Sequence, residues 1–383
     1  MPPIDPAWLE RAFTLAEKGR FSTSPNPMVG AVVVARGRVV GEAFHRRAGE
    51  PHAEILALRR AGRAAKGADL YVTLEPCSHE GRTPPCAPAV AASGVRRVVA
   101  ASIDPNPKVS GRGLAALRRA GVGVVLAPAA WRRRAAEQNE RFRTWVMEGR
   151  PFVLAKWAES LDGKTAEASG RSRWITGEAA RRRAMELREE YDAILVGAGT
   201  VGADDPLLTR RLGRNRSTEQ WRIVVDGRLR VSEKAKLFRS PGRRIVVTAA
   251  PLTHPKVARL AARGVEVWSL PAGASGSRRV DLRRLVSELG AREVTGLMVE
   301  GGAETLWGFF AADLVDRTAV FLAPRVLGGR QAPGGVGGRG FALERTPTLR
   351  DVRVEPLGPD WLLTGRVARP DRAGHTNPVA HTK

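Results

Sequence analysis

The only two cysteines of the 383-residue chain, Cys77 and Cys86, come downstream of a His-Ala-Glu triplet that begins at His52. Neutral imidazole and two thiolates are the ligands of a catalytic zinc site, in which the fourth position of the ion is left to water. A metal bound in this way must join three separate points of the chain, so the fold has to bring them together. We therefore predict that His52, Cys77 and Cys86 bind zinc.

The triplet ends at Glu54, and Pro76 directly precedes Cys77. His-x-Glu followed by Pro-Cys is the signature of zinc deaminases, in which the Glu is not a ligand but moves protons for the zinc-bound water. Glu54 is therefore the candidate general acid and base. The competing interpretation is structural, because a free Cys often behaves as a small buried hydrophobe.

The spacing of the cysteines departs from the common Cys-x-x-Cys form. Ser78 to Pro85 separate the two thiols, so this loop must curl back to bring both sulfurs to one ion. Pro84 and Pro85 would stiffen the return, and Gly81 permits a sharp turn.

Length and composition limit the class of protein. A chain of 383 residues predicts two domains, and 43% hydrophobic residues suffice for packed cores. No apolar run approaches the roughly 20 residues that span a bilayer, and the N-terminus has no signal-peptide pattern. Because both cysteines are assigned to metal, the sequence indicates the reducing cytoplasm.

The formal net charge of +24 favours acidic partners, either phosphorylated metabolites, a dinucleotide or nucleic acid. Only nine of the 63 basic side chains are Lys, so a compositional bias towards Arg is the alternative explanation. The Arg residues are scattered, and no basic stripe is interleaved with aromatics as in single-strand binders. We expect a small phosphorylated substrate and no nucleic acid or membrane partner.

Strand and helix patterns alternate through both halves, which predicts an α/β protein with mostly parallel sheets covered by helices. Active sites in such sheets lie beyond the carboxyl ends of strands, where Cys77 and the segment Asp104-Pro-Asn-Pro-Lys108 are expected. The pattern predicts a polar helix over 130–147 that ends at Gly149-Arg-Pro151, which marks the predicted boundary between domains at 1–148 and 149–368. In the second half the sequence also predicts a helix over 178–190, a mobile glycine-rich loop from Leu327 to Gly340, and a closing hairpin formed by 352–356 and 361–367. Residues 369–383 are polar and predicted to be disordered.

Two glycine motifs stand in the second half. Gly197 to Gly202 reads G-A-G-T-V-G, but Ala203-Asp-Asp-Pro206 should break the helix that a Rossmann fingerprint opens, so we predict a strand-end glycine turn. The predicted strand 296–300 leads into Gly301-Gly302 and then a helix, an arrangement in which backbone N–H groups face a phosphate. The second motif is the better candidate for a dinucleotide site. The alternative interpretation is that its glycines only form a tight turn between the strand and the helix.

Specific motifs give the chain a resemblance to a known family. The first half contains S-P-N-P-M-V-G-A-V, H-A-E, T-L-E-P-C-S-H-E-G-R-T-P-P-C and D-P-N-P-K-V-S-G-R-G. The second half contains S-L-D-G-K-T-A, S-G-R-S-R-W-I-T, T-V-G-A-D-D-P-L-L-T-R and V-E-G-G. Over about residues 6 to 367 the chain resembles the bifunctional riboflavin-biosynthesis family, which joins a deaminase half to a reductase half.

The resemblance implies a cytidine-deaminase-like three-layer domain followed by a dihydrofolate-reductase-like domain. It also implies two consecutive reactions. The first half would hydrolyse the 2-amino group of a diaminohydroxy-phosphoribosylaminopyrimidine with zinc, and the second would reduce the ribosyl group to ribityl with NADPH. A cytoplasmic homo-oligomer, dimer or tetramer, is expected.

The resemblance also assigns residues to each ligand. Asn26, whose amide suits a heterocycle but could equally cap a turn, is expected to contact the deaminase substrate with His79 and Arg82. The residues expected to bind NADPH are Ala158, Trp174, Thr200, Asp204, Gly302, Ala303, Glu304, Thr305, Leu306, Trp307 and Gly308. The residues expected to bind the reductase substrate are Ser172, Arg188, Leu207, Arg211 and Glu300, with the two guanidinium groups suited to its phosphate. Lys156 and Asp205 are expected as neighbours of these sites.

Three positions depart from the family pattern. Trp157 and Glu159 are bulkier and more polar than expected beside the nicotinamide, and Gly227 stands where a small hydroxyl residue could help to bind the cofactor. If alternation along the strand directs Ala158 inward, the charge of Glu159 is expected to point to solvent. Two alternatives stay open: a nucleic-acid-editing deaminase whose second half binds RNA, and a chain in which one half is catalytically inactive.

Overall fold

The computed structural model describes residues 3–107, 109–213, 219–240, 242–273 and 278–368. The predicted disordered tail at 369–383 lies outside the described residues. The described chain forms two compact units. One contains residues up to Pro151 together with Leu289–Thr295, and the other contains Phe152–Leu212, Glu219–Glu288 and the residues from Gly296 onward.

The first unit is a sheet with helices on both faces. Its strands lie in the order β2-β1-β3-β4-β5. The helices are α1 (Pro6–Glu17), α2 (Ala53–Ala61), α3 (Cys86–Ala92), α4 (Arg112–Arg119), α5 (Ala129–Gln138) and α6 (Glu140–Glu148), with a 3₁₀ turn at Gly62–Ala65. The strands are β1 (Gly30–Ala35), β2 (Arg38–Phe44), β3 (Asp69–Val72), β4 (Arg97–Ala100) and β5 (Gly123–Leu126).

The alternation of side chains along β1 separates the two faces of this sheet. Ala31 and Val33 pack into a core with residues of α2, α3 and α4. Val32 and Val34 pack on the opposite face with residues of α1 and α5. Because successive side chains of a strand point to opposite faces, a strand that is apolar throughout requires helices on both sides. The helices on both faces of this sheet confirm the three layers that the family resemblance implies.

The strand directions correct one expectation. Only β3, β4 and β5 are parallel, whereas β1 pairs antiparallel with both β2 and β3. Arg36 and Gly37 adopt positive φ and close a tight β1–β2 hairpin, which forces antiparallel pairing. The carboxyl ends of β3 and β4 still meet at one edge, where the segments that contain Cys77 and Asp104 follow.

The helix predicted over 130–147 is divided into α5 and α6 at Asn139. The side-chain amide of Asn139 binds the backbone just before β1. Its Oδ1 accepts from Met28 N at 2.7 Å, and its Nδ2 donates to Met28 O at 2.9 Å. Asn139 is buried, so this pair of hydrogen bonds to the backbone of Met28 anchors the segment before β1.

The second unit is a larger sheet, with strands in the order β10-β9-β8-β7-β11-β6-β12-β14-β13. Its strands are β6 (Phe152–Ser160), β7 (Ala193–Gly197), β8 (Trp221–Val225), β9 (Arg243–Thr248), β10 (Glu266–Ser269), β11 (Gly296–Glu300), β12 (Arg317–Ala323), β13 (Thr348–Leu357) and β14 (Asp360–Ala368). Its helices are α7 (Glu178–Glu190), α8 (Ala198–Asp204), α9 (Pro255–Ala261), α10 (Leu282–Ala291, which ends in the first unit) and α11 (Ala303–Ala311), with 3₁₀ turns at Lys236–Phe238 and Leu343–Arg345. The strands from β10 to β12 run parallel, and the predicted closing hairpin β13–β14 completes the sheet antiparallel to β12.

The glycine motif at 197–202 is a helix start rather than a turn. Gly197 is the N-cap of α8, and Gly199 and Gly202 lie inside that helix. The prediction that Asp204 and Pro206 would prevent a helix was wrong, because α8 is short and ends at Asp204, where Asp205 takes a left-handed conformation. Within the described residues, no helix combines the length and apolar character needed to cross a membrane.

Candidate active sites

Three side chains of the first unit converge at the edge where β3 ends. The ligand atoms of His52, Cys77 and Cys86 lie within 4.8 Å of one another. His52 Nδ1 lies 3.2 Å from Cys86 Sγ and 3.5 Å from Cys77 Sγ. The structure thus brings together the three predicted ligands.

Local structure explains how each ligand reaches the cluster. His52 is the N-cap of α2, and Cys86 is the first residue of α3. The intervening loop closes on itself, because Cys86 N donates to Cys77 Sγ at 3.3 Å and Ala87 N donates to Cys77 O at 3.0 Å. Two helix N-termini therefore point at the two thiols, an arrangement that favours negative charge.

The chemistry of this donor set fits zinc. The hydrogen bond from Cys86 lowers the pKa of Cys77 to about 4, while the same contact, together with burial, raises the pKa of Cys86. Two thiols this close thus share one proton, and a divalent cation that replaces it allows both to be thiolates. Burial alone would lower the pKa of His52, but Cys77 and Glu54 raise it above its usual value.

Glu54 follows the ligand His52 by two residues, in the first turn of α2. Its side chain is buried, and Oε2 has no hydrogen-bond partner among the described residues. Burial raises the pKa of Glu54 to about 7. An orphaned carboxylate oxygen beside a set of metal ligands is free to exchange protons with a bound water or substrate.

A cleft of about 230 Å³ opens over these groups, and its lining includes Asn26, His79, Arg82, Asp104 and Asn106. The expectation that the 104–108 segment borders the pocket is confirmed at Asp104 and Asn106. Burial raises the pKa of Asp104 to about 6.

The amide of Asn26 is oriented by a buried histidine that the sequence analysis did not single out. Burial lowers the pKa of His45 to about 4, so its ring is neutral. His45 Nδ1 donates to Pro51 O at 3.4 Å, and His45 Nε2 accepts from Asn26 Nδ2 at 3.0 Å. The amide oxygen of Asn26 is then the atom that can accept from a ligand in the cleft.

The two expected substrate contacts in the cysteine loop differ in their surroundings. His79 Nδ1 is buried and has no partner among the described residues, so it can bind a ligand. Arg82 forms an ion pair with Glu293, and both side chains are about half exposed. Glu293 also lines the cleft, so a substrate phosphate would compete with this carboxylate for Arg82.

Glu75 is a structural residue of the site that the sequence analysis missed. Its buried carboxylate accepts from four backbone N–H groups, those of Asp104, Gly111, Gly113 and Leu114, at 2.8 to 3.1 Å. It therefore caps α4 and joins the Cys77 loop to the 104–111 loop. The sequence signal was an acidic residue before Pro-Cys, which alone does not distinguish a cap from a catalytic acid.

The second unit has a different kind of site, at the start of α11. Gly301 and Gly302 have φ of +62° and +79° and turn the chain from β11 into the helix. A Cβ at Gly302 would lie 2.8 Å from Thr200 Oγ1, and one at Gly197 would lie 2.3 Å from Thr305 Oγ1. Glycine at these two positions lets α8 and α11 approach, so that two threonine hydroxyls and a helix N-terminus lie together. This arrangement fits the phosphates of a dinucleotide such as NADPH.

Three other expected NADPH residues, Asp204, Trp174 and Ala158, each make a contact that the structure defines. Ser172 Oγ donates to Asp204 Oδ1 at 3.0 Å, which joins an expected substrate residue to an expected cofactor residue. Trp174 is 63% exposed, with the Arg181 guanidinium 4.6 Å from its ring centroid. Ala158 packs partly buried against the core.

Within the predicted turn 302–308 the side chains have different roles. Leu306 is fully buried, and a Cβ at Gly308 would lie 3.0 Å from Leu282 Cδ1, so both serve the packing of α11. Glu304 Oε1 accepts from Gly338 N at 2.9 Å, and Trp307 packs against Phe341 with ring centroids 4.6 Å apart. The glycine-rich segment after β12, which the sequence suggested as a mobile loop, is thus hydrogen-bonded onto the helix that bears the expected cofactor residues.

The expected reductase-substrate residues include a buried ion cluster. Arg188 donates from Nε and Nη2 to the two carboxylate oxygens of Glu300, each at 2.7 Å. Burial alone would raise the pKa of Glu300, but Arg188, Lys156 and Arg211 lower it below its usual value. Arg188 is therefore held by Glu300. Of the two arginines expected to bind the substrate phosphate, Arg211 is exposed and is the more accessible one. Leu207 is 38% exposed.

The three unusual positions have local explanations. Trp157 Nε1 donates to Glu159 Oε2 at 2.9 Å, and burial raises the pKa of Glu159, so this carboxylate is partly buried rather than directed into solvent as expected. A Cβ at Gly227 would lie 2.1 Å from Arg278 O. Glycine is present there because the backbone of another segment passes too closely for any side chain. Asp205 Oδ1 accepts from Lys236 N at 2.8 Å.

Comparison with known proteins identifies the family of both halves of the chain. Residues 3–102 match the family described as the cytidine and deoxycytidylate deaminase zinc-binding region, and residues 151–363 match the RibD C-terminal domain. The riboflavin biosynthesis protein RibD of Aquifex aeolicus is 42% identical over 361 residues, which cover 94% of this chain and 98% of the relative. The chain belongs to the RibD family.

Solved structures show the same relationship. A RibD structure from Acinetobacter baumannii has a TM-score of 0.84 and 35% identity, over 95% of this chain and 98% of that one. A Thermotoga maritima structure, described as a diaminohydroxyphosphoribosylaminopyrimidine deaminase/5-amino-6-(5-phosphoribosylamino)uracil reductase, has a TM-score of 0.82 and 34% identity, over 94% of this chain and 98% of that one.

Membership of the RibD family confirms the predicted fold, a cytidine-deaminase-like domain followed by a RibD-type reductase domain. It also confirms that this is a bifunctional enzyme of riboflavin biosynthesis, a deaminase and a reductase with zinc and NADPH as cofactors.

Proposed function

We propose that the first unit deaminates a diaminohydroxyphosphoribosylaminopyrimidine and that the second reduces the resulting 5-amino-6-(5-phosphoribosylamino)uracil to its ribityl form. One observation carries the assignment of the first step: His52, Cys77 and Cys86 converge beside the buried, unpartnered carboxylate oxygen of Glu54. The cleft above them is lined by polar side chains suited to a heterocycle and a phosphate.

The deaminase residues have separate roles. His52, Cys77 and Cys86 would hold zinc, which would supply a water that is reactive at neutral pH. Glu54 takes one proton from the attacking water and gives it to the ring nitrogen, and it then transfers the proton of the newly formed hydroxyl to the amino group, which leaves as ammonia. Asn26 and His79 orient the ring, and Arg82 exchanges Glu293 for the substrate phosphate.

In the reductase half, NADPH supplies the hydride for the anomeric carbon of the opened ribose. The residues of the chain hold the two reactants together and exclude water. The start of α11 with Thr200 and Thr305 binds the cofactor phosphates, and Ser172 with Asp204 lies between the expected cofactor and substrate residues. Glu300 and Lys156 border the ribose, and Arg211 binds its phosphate.

The test uses the purified enzyme and the diamino pyrimidine ribosyl phosphate, with and without NADPH, while ammonia and the nicotinamide absorbance are recorded. We expect ammonia release without cofactor, followed by NADPH oxidation after it is added. Ammonia alone would mean an inactive second half. Neither signal in a zinc-loaded sample, together with salt-sensitive RNA binding, would support a nucleic-acid-editing deaminase instead.

The domain limits 1–148 and 149–368 are part of the proposal. The compact units divide between Pro151 and Phe152, and the first unit also includes Leu289–Thr295. A separately expressed 1–148 fragment would therefore lack Glu293, and we expect it to keep zinc while it binds the phosphorylated substrate differently from the whole chain.

A homo-oligomer, dimer or tetramer, in the cytoplasm completes the proposal. Strand β13 is an edge strand with Val352 and Val354 exposed, a surface that natural sheets usually cover. Both cysteines are free thiols, which suits a reducing compartment. Sedimentation analysis decides the oligomeric state, and a purely monomeric species would refute this part.

A further inference from the structure

The zinc ligand His52 uses one specific ring nitrogen. Its Nδ1 faces both sulfurs, at 3.2 Å from Cys86 Sγ and 3.5 Å from Cys77 Sγ. An imidazole binds a metal through a nitrogen that carries no proton, so the proton of the neutral ring must be on Nε2. The group that accepts this Nε2–H determines how the ring is held.

That acceptor is a hydroxyl in the loop between the cysteines. Thr83 Oγ1 lies 3.2 Å from His52 Nε2, and it is the hydrogen-bond partner that the described residues provide for this nitrogen. Metal-bound histidines commonly donate their other N–H to an oxygen, which fixes the tautomer and ring plane and makes the ligand more basic. We propose that Thr83 is a positioning residue that presents His52 Nδ1 to zinc.

The backbone around Thr83 fixes where its hydroxyl lies. Thr83 O accepts from Gly81 N at 3.3 Å, and Pro84 and Pro85 follow, with Pro85 as the N-cap of α3. Proline restricts the backbone of the residue before it as well as its own. The same short segment therefore determines the position of the ligand Cys86 and of the acceptor for His52.

No neighbouring ring can replace Thr83 in this role. His45 packs edge-on against His52 with centroids 5.0 Å apart, but its two nitrogens already bond to Asn26 and to Pro51 O. His45 therefore supports one side of the ring without accepting its proton. Loss of the Thr83 hydroxyl would leave Nε2–H without its protein acceptor.

The test is zinc affinity, measured on the full-length enzyme by competition with a chromophoric chelator. Thr83→Val keeps the shape but removes the hydroxyl, and we expect its zinc affinity to fall about 10- to 100-fold. Thr83→Ser should restore affinity to near the wild-type value. Ser78→Ala is the matched control, because it removes a hydroxyl from the same loop but not the one on His52.

Two further measurements separate positioning from damage to the fold. The cobalt-substituted Thr83→Val enzyme should show altered ligand-field absorbance, and excess zinc should recover most of its deamination rate. The reductase rate on preformed deaminated substrate serves as the folding check, and Thr83→Ala replaces the Val variant if that one does not fold. Wild-type zinc affinity in Val or Ala, or an equal loss in Ser, would overturn the proposal.

The inference rests on zinc in the deaminase half and not on the identity of the pyrimidine. If the enzyme failed to turn over the proposed substrate but the Thr83 variants lost zinc as described, the proposed function would fail and the role of Thr83 would stand.

Discussion

The two sites of this enzyme are made of different parts of the polypeptide. In the deaminase half, the proposed site consists of side-chain atoms: a ring nitrogen, two sulfurs and the buried carboxylate of Glu54. In the reductase half, the start of α11 offers backbone N–H groups, two threonine hydroxyls and two glycines whose value is the absence of a side chain.

This difference decides how mutations act. A side-chain site fails when one chemical group is removed, even if the shape is preserved. A backbone site keeps its chemistry under almost any substitution and fails when its shape changes. The predictions below use isosteric changes in the first half and added volume in the second, and they are ordered from the largest expected effect to the smallest.

The largest effect is expected for Glu54→Gln, which keeps the shape and removes the proton acceptor. General acid–base catalysis contributes roughly 10²- to 10⁴-fold, so deamination should fall by about that factor. Zinc content and reduction of preformed deaminated substrate should not change. Coupled assays of ammonia and NADPH check this, and loss of both activities in a folded, zinc-loaded variant would contradict the separation of the two sites.

In the reductase half, Gly302→Ala should weaken NADPH binding about tenfold. Its methyl group would lie 2.8 Å from Thr200 Oγ1, and such overpacking typically costs about 1–3 kcal/mol. Gly301→Ala is the matched control, because it also has positive φ but no heavy atom lies within 4 Å of its Cβ. Cofactor titration by fluorescence measures both, and equal losses would show that backbone strain, not the clash, limits this turn.

A third change separates packing from cofactor binding. Gly227→Ser would add the hydroxyl that the family pattern suggests, but its Cβ would lie 2.1 Å from Arg278 O. We expect a loss of about 1–3 kcal/mol in the free energy of unfolding and no gain in NADPH affinity. Gly199→Ala, inside α8 with no atom within 4 Å of its Cβ, should instead be neutral or stabilise by about 0.5–1 kcal/mol. Urea unfolding tests the pair, and tighter NADPH binding by Gly227→Ser would contradict the packing explanation.

The smallest effect concerns the turn that anchors the glycine-rich segment. Hydrogen bonds from Ser160 Oγ and from the N–H groups of Leu327 and Gly328 lower the pKa of Asp162 from 3.8 to about 2. A carboxylate with a lowered pKa stabilises the fold above about pH 4, and this contribution is lost as the pH falls through about 2. Asp162→Asn should therefore be slightly less stable than wild type at neutral pH, and the two should converge in acid. A difference between the two proteins that stays constant from about pH 4 down to about pH 2 would rule out ionisation as its source.

Elements that depend on local sequence signals could be predicted, whereas features that depend on distant contacts could not. The hairpin β13–β14, the helix α7 and the strands around β11 follow directly from periodicity and turn residues. The helix break at Asn139 was missed because it depends on a partner that is distant along the chain, Met28, and the four contacts of Glu75 were missed for the same reason. The helix α8 was missed because Asp204 and Pro206 were expected to prevent a helix, whereas the short helix ends at Asp204.

The sequence by itself predicted the zinc cofactor and the family, and it singled out Glu54 as the proposed proton carrier, because a His, a Glu and two Cys residues in this order are chemically distinctive. Only the tertiary structure decided which nitrogen of His52 faces the sulfurs, that Thr83 holds the other one, that Arg188 is held by Glu300, and why Gly227 and Gly302 lack side chains. The physical reason is that reactivity belongs to a residue type, whereas tautomer, ion pairing and close approach depend on neighbours that are distant along the chain.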